Sequence, residues 1–408
     1  MPGIRRKGSH DLLKEINTRL IFNLIKQRSP ISRIEISKET GLSKSTVSEI
    51  VDSLIQKDIV REGGSGDSIG GRRPILLYPN SRGRLSIGIQ VDDYGELRGV
   101  LCDLESNIIA EKRDFCLEQE GLVDRICGLI DILAGGTGSN VMGVGLAVPG
   151  VIDYEAGSIV SAVNPGWVDV PLAAQLRTRY DIPIYIENAT GAAALGENWF
   201  GAGADSDDMV YVWLGSVVGA AIIIDGALYH GSRGSAGELG HTVITGEKIK
   251  CRCGRYGCVE SLISKPAVYR GLTQEKALSG AISRVSPSDV FKWLVDSERN
   301  GDTAERGFSK NLLREIATHL ATAVANLVNL LGPQAIVIRS DLTESHYFMA
   351  TLIDRVQSEI LPRPGGKVEV RKSILGENAV IIGAAALVLQ SAFSVSEANS
   401  GRLSVQSI

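Results

Sequence analysis

The chain has 408 residues, 44% hydrophobic and 22% charged, which is too long for one ordinary core and predicts two or three globular domains. Its longest apolar runs, such as Val210 to Ile224, are broken by glycine and serine, so a transmembrane class is excluded and no membrane insertion is expected. The net charge of −4 conceals an asymmetry: residues 1–84 carry sixteen Lys and Arg against nine Asp and Glu, and the remainder 27 against 38. A basic head on an acidic body points to a polyanion partner for the head, the bland alternative being chance unevenness.

The first residues are basic but lack an apolar stretch after them, so no secretory signal is expected and the predicted location is cytoplasmic. Asp11 to Gln27 places Leu13, Ile16, Leu20 and Leu24 at helical spacing, which predicts an amphipathic helix that Pro30 terminates. Ser32 to Thr40 reads as a short helix closed by Gly41, and Ser43 as the cap of a further helix burying Val47, Ile50, Val51, Leu54 and Ile55. The opposite face of that helix begins with Lys44, Ser45, Thr46 and Ser48. Short helix, glycine turn and a helix with a polar first turn form a helix-turn-helix pattern, whose second helix enters the major groove of DNA. A protein-docking bundle is the competing reading.

Two strands follow, Ile59–Glu62 and Pro74–Tyr78, around a glycine-rich wing carrying Arg72 and Arg73. Arginines on such a loop suit phosphates or a narrow minor groove. The expected DNA-contacting set is therefore Arg33, Ser43, Lys44, Ser45, Thr46, Ser48, Arg72 and Arg73. The winged helix-turn-helix domain is placed at 1–78, with a hinge at 79–84.

From Leu85 the texture becomes strand-rich: Leu85–Val91, Glu96–Asp103 and Ile108–Phe115, then a helix near 122–134 and a strand at Val141–Val148. A comparable order recurs from Met209–Leu214 through Ala335–Ile338. Two such halves in tandem predict a duplicated α/β domain of two lobes with a cleft between them. The lobes are placed at about 85–186 plus a C-terminal helix at 376–390, and about 187–375, with 391–408 as a loose tail.

The most informative stretch is Gly237-Glu238-Leu239-Gly240-His241 followed by Cys251-Arg252-Cys253-Gly254-Arg255-Tyr256-Gly257-Cys258-Val259-Glu260. One imidazole and three thiols, His241, Cys251, Cys253 and Cys258, lie within eighteen residues, a ligand set that suits tetrahedral structural zinc. Three buried cysteines beside a surface histidine are the plainer alternative. The other three cysteines, Cys102, Cys116 and Cys127, read as reduced core thiols.

The E-L-G-H and C-x-C-G-x-x-G-C-x-E pair resembles the signature of the ROK family of sugar kinases and sugar-responsive repressors. The resemblance spans essentially the whole chain, and the head matches the repressor branch. It implies an actin/hexokinase-like duplicated fold, structural zinc on His241 and the three cysteines, and sugar contacts from Glu238, His241 and Glu260. Asn164 in the Val163–Trp167 stretch resembles a further sugar contact, although such a stretch taken alone is only a turn. Asn188 is either a sugar contact or the cap of the helix after it.

The same resemblance implies that phosphoryl transfer has been lost. Family kinases have a phosphate loop resembling G-I-D-x-G-G-T; here the run is Gly88-Ile89-Gln90-Val91-Asp92-Asp93-Tyr94. The position of the catalytic aspartate in N-D-A-N-A-A-A-L-G-E holds Ala189, which cannot take a proton. The second glycine loop reads Gly215-Ser216-Val217-Val218-Gly219, and Arg339-Ser340-Asp341 stands where glycines admit the nucleotide. No catalytic residue is therefore assigned. The expected partners are operator DNA, a small sugar or derivative, and a second copy in a homodimer or dimer of dimers. Control by a regulatory protein stays open, as does an active kinase with a DNA-binding head.

Overall fold

The computed structural model describes residues 8–65, 73–135, 140–162, 164–232, 234–274, 285–362 and 366–393. The wing tip with Arg72, and the tail from 394 onward, lie outside the described residues. The chain divides into two compact units, with boundaries at Glu187/Asn188 and Gly383/Ala384.

The first unit opens with helix α1 (Gly8–Arg28) and the two-residue strand β1 (Ile31–Ser32), then α2 (Arg33–Thr40) and α3 (Lys44–Gln56). Ser32 and Glu35 form a capping box: the serine hydroxyl accepts the Glu35 N–H, and the glutamate accepts the Ser32 N–H at 2.8 Å. Those contacts hold the Glu35 carboxyl below its usual range, the Ser32 hydroxyl contributing most. Gly41 ends α2 with φ 71°, a left-handed conformation open to glycine at little cost, and Ser43 caps α3 through the Thr46 N–H. Val47, Ile50, Val51 and Leu54 are buried as expected, and Ile55 is half-buried. Strands β2 (Val60–Ser65) and β3 (Ile75–Pro79) pair antiparallel and complete the wing.

The buried face of α1 differs from the expected stripe. Ile21, Phe22 and Ile25 are fully buried, whereas Leu13 is 57% exposed and Leu20 is also exposed. The helix carries two apolar stripes, and the one with the aromatic ring packs inward, where a larger area leaves water.

The expected hinge is also tied down. Asn80 donates from its backbone to Ile59 O and from its side chain to Asp58, at 2.9 and 2.7 Å. Ser81 donates its hydroxyl to Glu105 at 2.7 Å and accepts the Leu104 N–H. Arg84 donates to Lys57 O, and Lys57 donates to Ala392 O at 2.7 Å. The head therefore belongs to the same compact unit as the strands that follow it.

Those strands are β4 (Leu85–Val91), β5 (Glu96–Cys102) and β6 (Ile108–Phe115), an antiparallel meander extended by β7 (Val141–Val148) parallel to β4. Helix α4 (Gln119–Ala134) covers the sheet, packing Leu122, Ile126, Leu129, Ile130 and Leu133 into a core with Ile87, Ile89, Leu97 and Leu101. A small sheet of β8 (Val151–Asp153), β9 (Ser158–Ala162) and β10 (Trp167–Val170), the helix α5 (Leu172–Arg177) and strand β11 (Ile184–Asn188) complete this unit's main elements. The large sheet has the order β11-β7-β4-β5-β6.

The second unit begins at α6 (Ala189–Phe200) and repeats the plan. Strands β12 (Met209–Leu214), β13 (Val218–Ile224) and β14 (Ala227–Tyr229) form the meander, with β15 (Ala335–Arg339) and β16 (Glu369–Lys372) parallel beyond β12. The order β14-β13-β12-β15-β16 matches that of the first sheet strand for strand, so the expected duplication is present. Between the meander and β15 come α7 (Val259–Ile263), α8 (Lys265–Gln274), α9 (Val290–Asn300) and α10 (Thr303–Leu331). Helices α10 and α11 (His346–Glu359) bury Leu313, Ile316, Leu320, Phe348 and Leu352 against Val210, Val212, Ile336 and Ile338. The last helix, α12 (Ala379–Phe393), extends three residues into the segment expected to be tail.

Candidate functional site

The Gly237–His241 segment lies against β13 at backbone distance. Ala220 donates its N–H to Gly237 O at 2.9 Å, and a Cβ on Gly240 would stand 2.1 Å from Val218 O. Only glycine fits there, and that approach fixes the 3₁₀ turn Leu239–His241 on which the histidine sits. Glu238, at the start of this turn, is exposed.

Four ligand atoms gather beside the turn. His241 Nδ1 lies 3.6 Å from Cys251 Sγ, Cys253 Sγ lies 3.7 Å from Cys258 Sγ, and all four atoms fall within 4.8 Å of one another. Zinc–sulfur bonds of about 2.3 Å give tetrahedral edges of about 3.8 Å, so the spacing fits a closed Cys₃His site. It does not fit a disulfide, whose sulfurs stand about 2 Å apart, and the three thiols are free. The Arg255 backbone N–H, then its side chain, hold the Cys253 thiol down at about 6. Burial pushes Cys258 up to about 12. A metal binds the sulfurs as thiolates, so its uptake here would release protons. Were Nδ1 to ligate a metal, Nε2 of His241 would carry the ring proton and be the donor left over.

Glu260 begins the first turn of α7 and is 5% exposed. Its carboxylate accepts the Val218 N–H at 3.1 Å, Arg252 Nε at 2.6 Å and Arg252 Nη2 at 3.3 Å. The sequence gives no signal for Arg252 as the partner of Glu260, because the pairing depends on how the loop between Cys251 and Cys258 folds.

Asn188 caps α6 by accepting the Gly191 N–H at 2.8 Å, which favours its capping role. Asn164, in the first unit, lies exposed on the turn between β9 and β10. Ala189 is the first residue of α6.

At the end of β4 the run that would face phosphate satisfies itself. Asp92 Oδ1 accepts the N–H groups of Tyr94 and Glu96, each at 2.8 Å. In the second unit Arg339 stacks over the Trp213 ring at 4.1 Å, and Asp341 pairs with Lys265 at 2.6 Å.

In the head, Ser43, Lys44 and Ser45 are exposed at the start of α3, and Thr46 and Ser48 are half-buried. The Ser43 hydroxyl lies 2.8 Å from those of both Ser45 and Thr46. Arg73 is exposed. Arg33 is differently placed: its guanidinium pairs with Asp52 at 2.8 Å and Glu62 at 2.9 Å, linking α2 to α3 and β2.

A winged helix-turn-helix head on a duplicated α/β body with a Cys₃His module is thus the class that the fold and site define. A family model for winged helix-turn-helix DNA-binding matches residues 14–61, and one for the ROK family matches residues 95–391. The chain belongs to the ROK family. It is 33% identical over 387 residues to a xylose repressor of Bacillus spizizenii, covering 93% of this chain and 96% of that one. A solved ROK family transcriptional regulator, described as a homolog of the Escherichia coli MLC protein, shares the fold with TM-score 0.77 at 23% identity, covering 94% of this chain and 98% of its own. A ROK family glucokinase from Streptomyces griseus, solved with glucose and AMPPNP, superposes with TM-score 0.61 at 26% identity over 75% of this chain and 99% of its own. Among the described residues no helix is long and apolar enough to cross a membrane.

Proposed function

We propose that this protein is a sugar-responsive, DNA-binding transcriptional regulator of carbohydrate genes, a repressor by its similarity to the xylose repressor. The reading rests on one combination in a single chain: a helix-turn-helix head, a His/Cys cluster suited to a metal, and Ala189 where the family's kinases carry their base. The first turn of α3 enters the major groove, with Ser43, Lys44, Ser45, Thr46 and Ser48 at bases and phosphates and Arg73 on the wing beside Arg72. Arg33 serves as a brace that sets α3 against the wing, given its two carboxylate partners.

Structural zinc on His241, Cys251, Cys253 and Cys258 fixes the turn that carries Glu238. Sugar hydroxyls are then held by Glu238, by the Nε2–H of His241 and by Glu260, all in the second unit. Carboxylates on a rigid support accept strongly from hydroxyls. Phosphoryl transfer is absent, because Asp92 supplies the negative charge that a phosphate would bring to the turn after β4. The protein acts in the cytoplasm as a homodimer, so that two heads meet two half-sites whose separation they must match. Binding of the sugar favours one arrangement of the body and changes that match.

The test is retention of DNA from the protein's own regulatory regions across a panel of sugars at one fixed salt concentration, with zinc content and sugar-dependent ADP release measured on the same preparation. The expected result is one sugar that releases the DNA, bound zinc, and no ADP. A zinc-free protein that ignores every duplex would sink the reading. Sugar-dependent ADP release would replace it with an active kinase.

A further inference from the structure

Glu260 carries more than a bare acceptor's surroundings. Three of its roughly four lone-pair positions are filled, one by the Val218 N–H and two by Arg252. The carboxylate itself is buried, whereas the Arg252 side chain is 61% exposed. Arg252 therefore lies over Glu260 from the solvent side, on a flexible stem whose neighbours in sequence are two metal ligands. Its Nη1 has no hydrogen-bond partner among the described residues.

A sugar hydroxyl that is to reach Glu260 must take the place of this guanidinium. Hydrogen bonds with either partner ionised are roughly twice as strong as neutral ones, so sugar hydroxyls on Glu260 stay charge-assisted. A neutral sugar that displaces Arg252 nevertheless breaks the bidentate ion pair and leaves the cation to water alone. A sugar bearing its own negative group returns a partner to Arg252 while its hydroxyls take Glu260. Arginine's planar fork suits either carboxylate or phosphate.

We propose that Arg252 is a specificity-determining residue and that the effector of this site is an anionic monosaccharide, a sugar acid or sugar phosphate whose charge Arg252 reads in exchange for Glu260. This rests on the sugar-binding reading above, and it names the ligand class for that site.

The experiment is titration calorimetry on the full-length, zinc-loaded protein and on its Arg252→Ala and Arg252→Lys variants, with zinc content checked for each. The probes are D-glucose, D-glucuronate, D-glucose 6-phosphate, N-acetyl-D-glucosamine and its 6-phosphate. In the unaltered protein an anionic probe is expected to bind at least about tenfold more tightly than its neutral counterpart, a preference worth about 1.4 kcal/mol. Arg252→Ala should abolish that preference, chiefly by weakening the anionic probe, and Arg252→Lys should keep part of it. The glucuronate and phosphate arms identify which anion is read. Equal binding of neutral and anionic probes in the unaltered protein would overturn the proposal. So would an equal loss of both in Arg252→Ala, which would make Arg252 merely a support for Glu260. If no sugar, charged or neutral, bound any of the three proteins, the sugar-binding reading itself would fall, and this proposal with it.

Discussion

Asp92 accepts the backbone N–H of Glu96 at 2.8 Å, closing the turn after β4 with a side chain of the chain's own. A phosphate arriving there would meet a carboxylate already on the amides it needs. Placing a carboxylate at position 189 alone should therefore not produce phosphoryl transfer. Ala189→Asp is expected to leave sugar-dependent ADP release at background in a coupled assay, as in the unaltered protein, and turnover by either would contradict this.

Arg33 and Lys44 should separate structure from recognition. Loss of the Arg33 pairs with Asp52 and Glu62 in Arg33→Ala is expected to cost about 1 kcal/mol of stability, as partly exposed ion pairs do. Its DNA affinity should keep the same dependence on salt. Lys44→Ala should leave the melting temperature unchanged and reduce the slope of log affinity against log salt by about one. Denaturation curves and fluorescence anisotropy at several salt concentrations check both.

Removing a single sulfur from the Cys₃His cluster tests the metal. Cys253→Ser alters the exposed member of the set, so packing loss is small. Bound zinc, measured by atomic absorption, should drop from about one per chain to well below that. Sugar affinity should fall with it, while the isolated change in helix content stays minor.

Lys26 gives a pH signature. Burial pulls its ammonium down to about 8 from 10.5, against the opposing pull of Glu105 and Asp103. The unfolded chain then holds this proton up to about 10.5, and the folded one releases it near 8, so stability rises with pH between those values. That contribution is fully present above the upper value and is lost as pH falls through the lower one. The stability difference between the protein and Lys26→Met should shift in this sense from pH 8 to 10.5, and a flat difference would count against it.

What could be read in advance was local. The Ser32–Glu35 box, Gly41 and the cap at Ser43 depend on neighbours within a few residues, and the His241–Cys258 spacing places a metal set before any fold is known. The duplicated strand order was likewise carried by repeated apolar texture. What escaped depended on partners distant in sequence or on competition between similar choices. Nothing near Arg33 announces Glu62, nothing in α1 says that Ile21 and Phe22 outrank Leu13 and Leu20, and the pairing of Arg252 with Glu260 needs the metal loop folded back on α7.

The strap through Asn80 and Ser81 has a consequence for how a signal travels. A slack tether would let the reading helix explore many angles, and news from the body would dissipate in it. Here Ser81 ties the β5–β6 corner through Glu105, and Asn80 ties the residues after α3 through Asp58, so a rotation of that corner is expected to reach α3. Splicing a few glycines between Ser81 and Gly83 should leave a protein that still grips duplex and still takes its ligand, yet no longer lets one event inform the other.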